Sequence, residues 1–230
     1  MDKLFKNVKI SINSELYLKD PESSELGKKI VGHGILLINE IGFEKFTFKK
    51  LGTEIKSNES SIYRYFENKH KFLVYLTNWY WGWKEFHLTI STHGMGNSTE
   101  KLLKGIEVMT HPVVQDIRFK HINEVALNNI IINESSKSYL TKEVDTENKG
   151  GYFSIYKSLV SRIAEMIREV SPEYQYPLSL SSMVIDGALH QHFLKDHIAA
   201  ITDCSEDITA SDYFIDLVKK TLKIEDHGRR

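Results

Sequence analysis

Thr47-Phe48-Lys49-Lys50-Leu51-Gly52-Thr53-Glu54-Ile55-Lys56-Ser57-Asn58-Glu59-Ser60-Ser61-Ile62-Tyr63-Arg64-Tyr65-Phe66 holds two short helical patterns around a polar break. Thr47 suits a helix N-cap, because its hydroxyl can accept a hydrogen bond from a free amide of the first turn. Leu51 and Ile55 follow at helical spacing and point inward. Lys56-Ser57-Asn58 interrupts the pattern, and the next helix brings Ile62 and Phe66 to the same small core. Tyr63, Arg64 and Tyr65 are then left on the outer side. Upstream, Asp20-Pro21 opens a longer amphipathic helix, with Leu26, Ile30, Leu37 and Ile41 along one face and Gly42 closing it. Three short helices with this punctuation form a helix-turn-helix layout, whose last helix enters the major groove of DNA.

The distribution of charge agrees with one DNA-facing end. The whole chain of 230 residues carries a formal net charge of −1. Residues 25–73 contain nine Lys or Arg against six Glu, a local +3 that leaves −4 for the remainder. The chain is long enough to bury a sizeable core, and its four prolines and thirteen glycines argue against a β-sandwich rich in tight turns. No apolar run approaches membrane-spanning length, so no membrane role is expected. Cys204 is the sole cysteine, which excludes an internal disulfide and fits a reducing cytoplasm.

Outside that head the pattern is helical. A fourth helix begins near Lys69, and Phe72, Leu76, Trp79, Trp83, Phe86 and Ile90 form one sustained apolar stripe. Trp81, Val74 and Leu88 imply a second buried side. His93-Gly94-Met95-Gly96-Asn97-Ser98 is a clear break. Helices are expected over roughly 99–111, 114–133, 152–170, 178–199 and 207–224, with a polar loop at Glu143–Gly151. Residues 6–19 alternate apolar and polar, fitting either a short N-terminal β-hairpin or a loose arm. The expected organisation is an arm over 1–20, a head over 21–68 and a larger helical part over 69–230.

The segment from Thr47 to Ile55, the turn, and Ser61-Ile62-Tyr63-Arg64-Tyr65-Phe66 with Lys69 and Leu73 resemble the tetracycline-repressor (TetR) family of transcriptional regulators. The resemblance covers about 45 residues and rests on caps, core spacing, the Tyr-x-Tyr-Phe end and the lysine that follows. It implies an all-α fold: a helix-turn-helix head on a larger ligand-binding and dimerisation domain. It also implies a homodimer paired through helices near 178–199 and 207–224, a palindromic double-stranded DNA operator and a small-molecule effector. The implied function is a sequence-specific regulator, a repressor released from DNA by its ligand. The chain departs from the family pattern where Lys56 replaces a small residue, most often glycine, and where Ser57 replaces an apolar plug. Glu59 is unusual on a surface meant to face phosphates.

DNA contacts are expected from Thr47, Ser60, Ser61, Tyr63, Arg64, Tyr65 and Lys69. Thr47 and Lys69 would hold phosphates, Arg64 can pair with guanine in two places, and Ser60 and Ser61 are small enough for close approach. Glu59 either caps the third helix at Asn58 or accepts from a cytosine amine. Lys49, Lys50 and Lys71 read as solvated surface. Trp79, Trp83, Phe86, Phe119, Tyr152, Tyr156 and Met183 are candidates for an effector pocket, although each alone also reads as ordinary core. The ten histidines offer no pair at a spacing of three or four, so no metal site is expected. No cofactor-binding or catalytic motif appears, so no enzyme is expected. The competing expectation is a helical protein of the same fold that binds a small molecule or a protein partner without specific DNA recognition.

Overall fold

The computed structural model describes residues 10–116 and 118–225. Among them are eleven α-helices, three 3-10 turns and no strand. The helices are α1 (Glu25–Ile41), α2 (Phe48–Glu54), α3 (Glu59–Tyr63), α4 (Lys69–Thr92), α5 (Ser98–Thr110), α6 (Glu124–Glu134), α7 (Ser136–Tyr139), α8 (Val144–Lys149), α9 (Ser154–Val170), α10 (Pro177–His197) and α11 (Ala210–Leu222). No helix among the described residues is long and apolar enough to cross a membrane. Two compact units emerge. The first takes the described residues up to Trp83 together with Val113–Ile155; the second takes Lys84–Pro112 with the described residues from Tyr156 onward.

In the first unit, α1 to α3 and the start of α4 enclose an aromatic core. Phe72 stacks on Phe46 with centroids 5.7 Å apart and meets Phe48 and Phe66 edge-on at 6.2 and 4.8 Å. Such offset and T-shaped pairs suit the ring quadrupole and bury large apolar area. Gly42 ends α1 as expected, with φ 76° and its N–H bonded to the Ile38 carbonyl. Residues 43–46 lead on to Thr47, whose Oγ1 accepts from the Lys50 amide at 3.2 Å and starts α2. The cap of α1 is Ser24, while Asp20 caps the preceding 3-10 turn Pro21–Ser23. The helix therefore opens four residues after the Asp20-Pro21 signal.

Three sequence expectations are corrected. Residues 1–9 lie outside the described residues, and over 10–19 the chain forms a 3-10 turn at Ser14–Leu16 rather than a hairpin strand. A strand would place Leu16 and Leu18 on one face, yet Leu16 is buried and Leu18 is 67% exposed. The helix expected from 114 starts only at Glu124. Residues 113–123 are instead held by side chains: Gln115 Nε2 donates to the Ile122 carbonyl, the Asp116 amide donates to Glu124, and Arg118 pairs with Asp116. The stretch expected as a loop at 143–151 contains the short helix α8, with Glu147 accepting from or donating to His70 Nε2 at 2.7 Å depending on proton placement.

Helix α6 packs on α1 within the same unit. Its last residue reaches back to the head, where Glu134 Oε1 accepts from the Phe43 amide at 3.1 Å, and Lys137 bridges Glu134 and Glu44. The second unit buries Leu102 and Ile106 of α5, Ile163 and Ile167 of α9, Val184 and Ile185 of α10, and Phe214 and Val218 of α11. Helices α5, α10 and α11 all touch one another there. The carbonyls ending α5 are satisfied by two side chains, as Lys84 Nζ donates to Val108 at 2.9 Å and His192 Nε2 pairs with Thr110 at 2.9 Å.

Candidate nucleic-acid interface

The turn between α2 and α3 is tight because Gly52 lets the chain fold back on itself. The Ser57 amide donates to the Gly52 carbonyl at 2.8 Å. A Cβ on Gly52 would lie 2.8 Å from the Ser57 carbonyl oxygen and 3.3 Å from the Glu59 nitrogen, both backbone atoms. Lys56 completes the turn in the left-handed region at φ 55°. Asn58 occupies the N-cap position of α3 with extended backbone but makes no side-chain cap bond. A lysine thus holds the left-handed position of this turn.

Helix α3 inserts Ile62, fully buried, and presents Ser60 and Tyr63 outward. Tyr63 is 47% exposed, with its inner edge resting on Phe48 at 5.1 Å. Arg64 follows the helix as its C-cap and is exposed, and no other described residue binds its guanidinium. Ser61 is half-buried beside the turn. Thr47 remains exposed at the start of α2, so its hydroxyl proton is free to donate while its oxygen accepts the cap bond.

Tyr65 is corrected to a core residue. It is 3% exposed, its hydroxyl shares a 2.8 Å hydrogen bond with Ser24 Oγ, and its carbonyl accepts from the Leu18 amide at 2.8 Å. Lys19 lies over its ring at 5.1 Å. Residues 17–24 therefore cover the ring, a contact between segments more than forty residues apart that no local spacing reveals. Lys69 is drawn inward as well. Its ammonium donates to the Phe43 and Glu44 carbonyls at 3.2 and 3.3 Å and sits over the Phe43 ring, leaving one donor to reach outward. Lys71 is no solvated surface lysine. It donates to the Glu15 carbonyl and to the Tyr152 hydroxyl, so it ties the N-terminal segment to α4.

Solved structures that share the architecture can now be placed beside this geometry. The chain superposes on a structure titled superantigen PfiT at TM-score 0.59 and 13% identity, covering 90% of this chain and 100% of that one. A putative transcriptional regulator from Saccharomonospora viridis in complex with choline matches at TM-score 0.58 and 15% identity, covering 88% and 98%. AibR in complex with isovaleryl coenzyme A and operator DNA matches at TM-score 0.55 and 14% identity, covering 85% and 98%. The all-helical fold is the one these solved structures share. No protein-family model matches the chain, and no curated protein matches it by sequence. At these identities the likeness is one of fold.

The residues expected to line an effector pocket divide between the two units. In the first, Trp79 is buried with its ring edge-on to Phe119 at 5.1 Å, and Trp83 is buried near Tyr80. Tyr152 is buried there too, its hydroxyl and ring face both taken by Lys71. In the second unit, Phe86 is half-buried, and the Tyr156 hydroxyl donates to Asp186 Oδ2 at 2.8 Å. Met183 is corrected to a surface residue of α10, 48% exposed, because Leu180, Val184, Ile185 and Ala188 take the buried side of that helix.

Proposed function

We propose that this protein is a homodimeric, sequence-specific DNA-binding regulator, a repressor that a small-molecule effector releases from its operator. The observation that carries the reading is the pairing of an outward α3, bearing Ser60, Tyr63 and Arg64, with a fold otherwise seen in AibR bound to operator DNA. Arg64 reads a guanine edge through two parallel hydrogen bonds, and Tyr63 gives a ring face to a thymine methyl or sugar. Ser60 and Ser61 keep the helix close to the base edges. Thr47 and the remaining donor of Lys69 hold phosphates and set the register.

Release by an effector requires that the ligand prefer the conformation in which two heads misfit their half-sites. The Glu134–Phe43 hydrogen bond and the Lys137 bridge to Glu44 supply a direct connection from α6 to the turn before α2. Trp79, Trp83, Phe86, Phe119 and Tyr156 remain the candidate effector contacts. Choline and isovaleryl coenzyme A, held by two proteins of this fold, differ in charge and size, so the fold leaves the effector's chemistry open.

Selection of random duplex DNA on the purified protein tests the reading. The expected result is an inverted repeat, with affinity falling at least tenfold on Arg64→Ala and base preference relaxing at one position per half-site. Equal binding to all sequences sinks it. A second reading, a helical protein that recognises a protein partner without specific DNA binding, is favoured by one neighbour of this fold being titled a superantigen and by Glu59 on the DNA-facing side. Flat DNA selection together with saturable capture of a protein partner would support that alternative.

A further inference from the structure

The turn at Lys56 is the place where the helix-turn-helix departs furthest from an unstrained backbone. Lys56 adopts φ 55°, a region in which any residue with a Cβ is disfavoured relative to right-handed backbone, because the Cβ crowds the following carbonyl oxygen. Glycine would occupy the same turn without that strain. Backbone strain of this kind is characteristic of functional sites, and the Lys56 side chain is exposed. Lys56 lines an open recess of about 510 Å³ together with Lys49, Gly52, Ser57, Glu59 and Ser61. Elsewhere in the head, Lys50 Nζ donates to the Lys45 carbonyl and Lys69 Nζ to the Phe43 and Glu44 carbonyls. No described residue binds the ammonium of Lys49 or Lys56.

We propose that Lys56, with Lys49 across the same recess, clamps one phosphate of the DNA backbone, a contact additional to those of Thr47 and Lys69. The proposal rests on the DNA-binding reading above and deepens it. Ser57 and Ser61 add hydroxyl donors on the recess wall, and backbone-positioning contacts of this kind carry no base preference. Glu59 on the rim holds the local charge to a modest positive value, so a free anion finds little there. A phosphate already delivered by a duplex docked on Arg64 and Tyr63 is held without needing intrinsic affinity of the recess.

The glycine variant separates fold from contact, because Lys56→Gly relieves strain while deleting the ammonium. Its thermal midpoint is expected to rise by about 2–4 °C. Its affinity for the duplex recovered by selection is expected to fall about five- to tenfold at 0.1 M salt, by the same factor on a scrambled duplex. The slope of log K against log salt should become shallower by about 0.9. Lys56→Arg should keep the wild-type slope. Wild-type affinity and slope in Lys56→Gly overturn the proposal while leaving the DNA-binding reading intact. A loss confined to one operator position also overturns it, by making Lys56 a base reader. Absence of any sequence selection by the wild-type protein overturns both.

Discussion

Gly52 shows how little space the turn between α2 and α3 has. Any side chain there meets backbone on two sides, the Ser57 carbonyl and the Glu59 amide, and backbone cannot rotate away as a flexible side chain can. Gly52→Ala is expected to destabilise the protein by about 1–3 kcal/mol. A lower denaturant midpoint with an unchanged m-value would register the loss, and an unchanged midpoint would show that the turn is looser than this geometry. Tyr63 and Tyr65 carry the complementary lesson. Both are aromatic, two residues apart and beside an arginine, and helical spacing placed both outside. Tyr63 is outside, but the short α3 ends at Tyr63, and the non-helical chain beyond it turns Tyr65 under residues 17–24.

At the scale of elements, the segment from 113 to 123 folds around one buried carboxylate. Glu124 is completely buried; its Oε2 accepts from the Asp116 amide at 3.2 Å and from Gln115 Nε2, while its Oε1 has no hydrogen-bond partner among the described residues. Burial pushes its pKa from 4.5 up to about 7, against the pull of the amides that donate to it. The folded state therefore binds this proton more tightly than the unfolded chain does. Its stabilising effect is fully present below about pH 4.5 and is lost as pH rises to about 7, at up to roughly 1.4 kcal/mol per pH unit. Urea midpoints of wild type and Glu124→Gln, measured at pH 5 and pH 7.5, check this. The wild type should lose more stability than the variant across that interval, and parallel behaviour would refute the assignment. The sequence placed a helix over roughly 114–133 on its local pattern alone. Side-chain capture of its backbone groups by Gln115, Asp116 and Glu124 outcompetes that weak local pattern.

For the whole molecule, the unpartnered apolar residues of the second unit matter most. Leu178 and Met183 of α10 are 49% and 48% exposed, and Tyr213 of α11 is 46% exposed. Ile198, Ile201 and Ile208 between those helices are exposed as well. Scattered apolar residues on a surface are ordinary, but two neighbouring helices that both carry them suit a self-complementary contact about a two-fold axis. The protein is expected to sediment at twice 26.6 kDa. Met183→Glu should shift it to the monomer with its helical circular dichroism intact, and should cost it affinity for a duplex carrying two half-sites. A wild-type monomer at micromolar concentration, or a dimer undisturbed by that charge, would count against the pairing. The exposed side of α10 was invisible in the sequence, where polar and apolar residues are mixed around the helix and no stripe distinguishes inside from outside.

What the sequence determined by itself was local. Gly42 as the end of α1, Thr47 as the cap of α2 and the apolar stripe of α4 from Phe72 to Trp83 all follow from contacts within four or five residues. Caps, glycine backbone freedom and a 3.6-residue period act over that range. Tertiary structure decided which polar and aromatic side chains remain available to a ligand. Leu18 and Ser24 take Tyr65, the Phe43–Glu44 carbonyls take Lys69, and Glu134 reaches the Phe43 amide from 91 positions away. A side chain's freedom depends on partners that only the folded chain brings near. Of the residues proposed to contact DNA, Thr47, Ser60, Ser61, Tyr63 and Arg64 stay exposed or half-buried, Lys69 keeps one donor, and Lys56 joins them as a candidate contact.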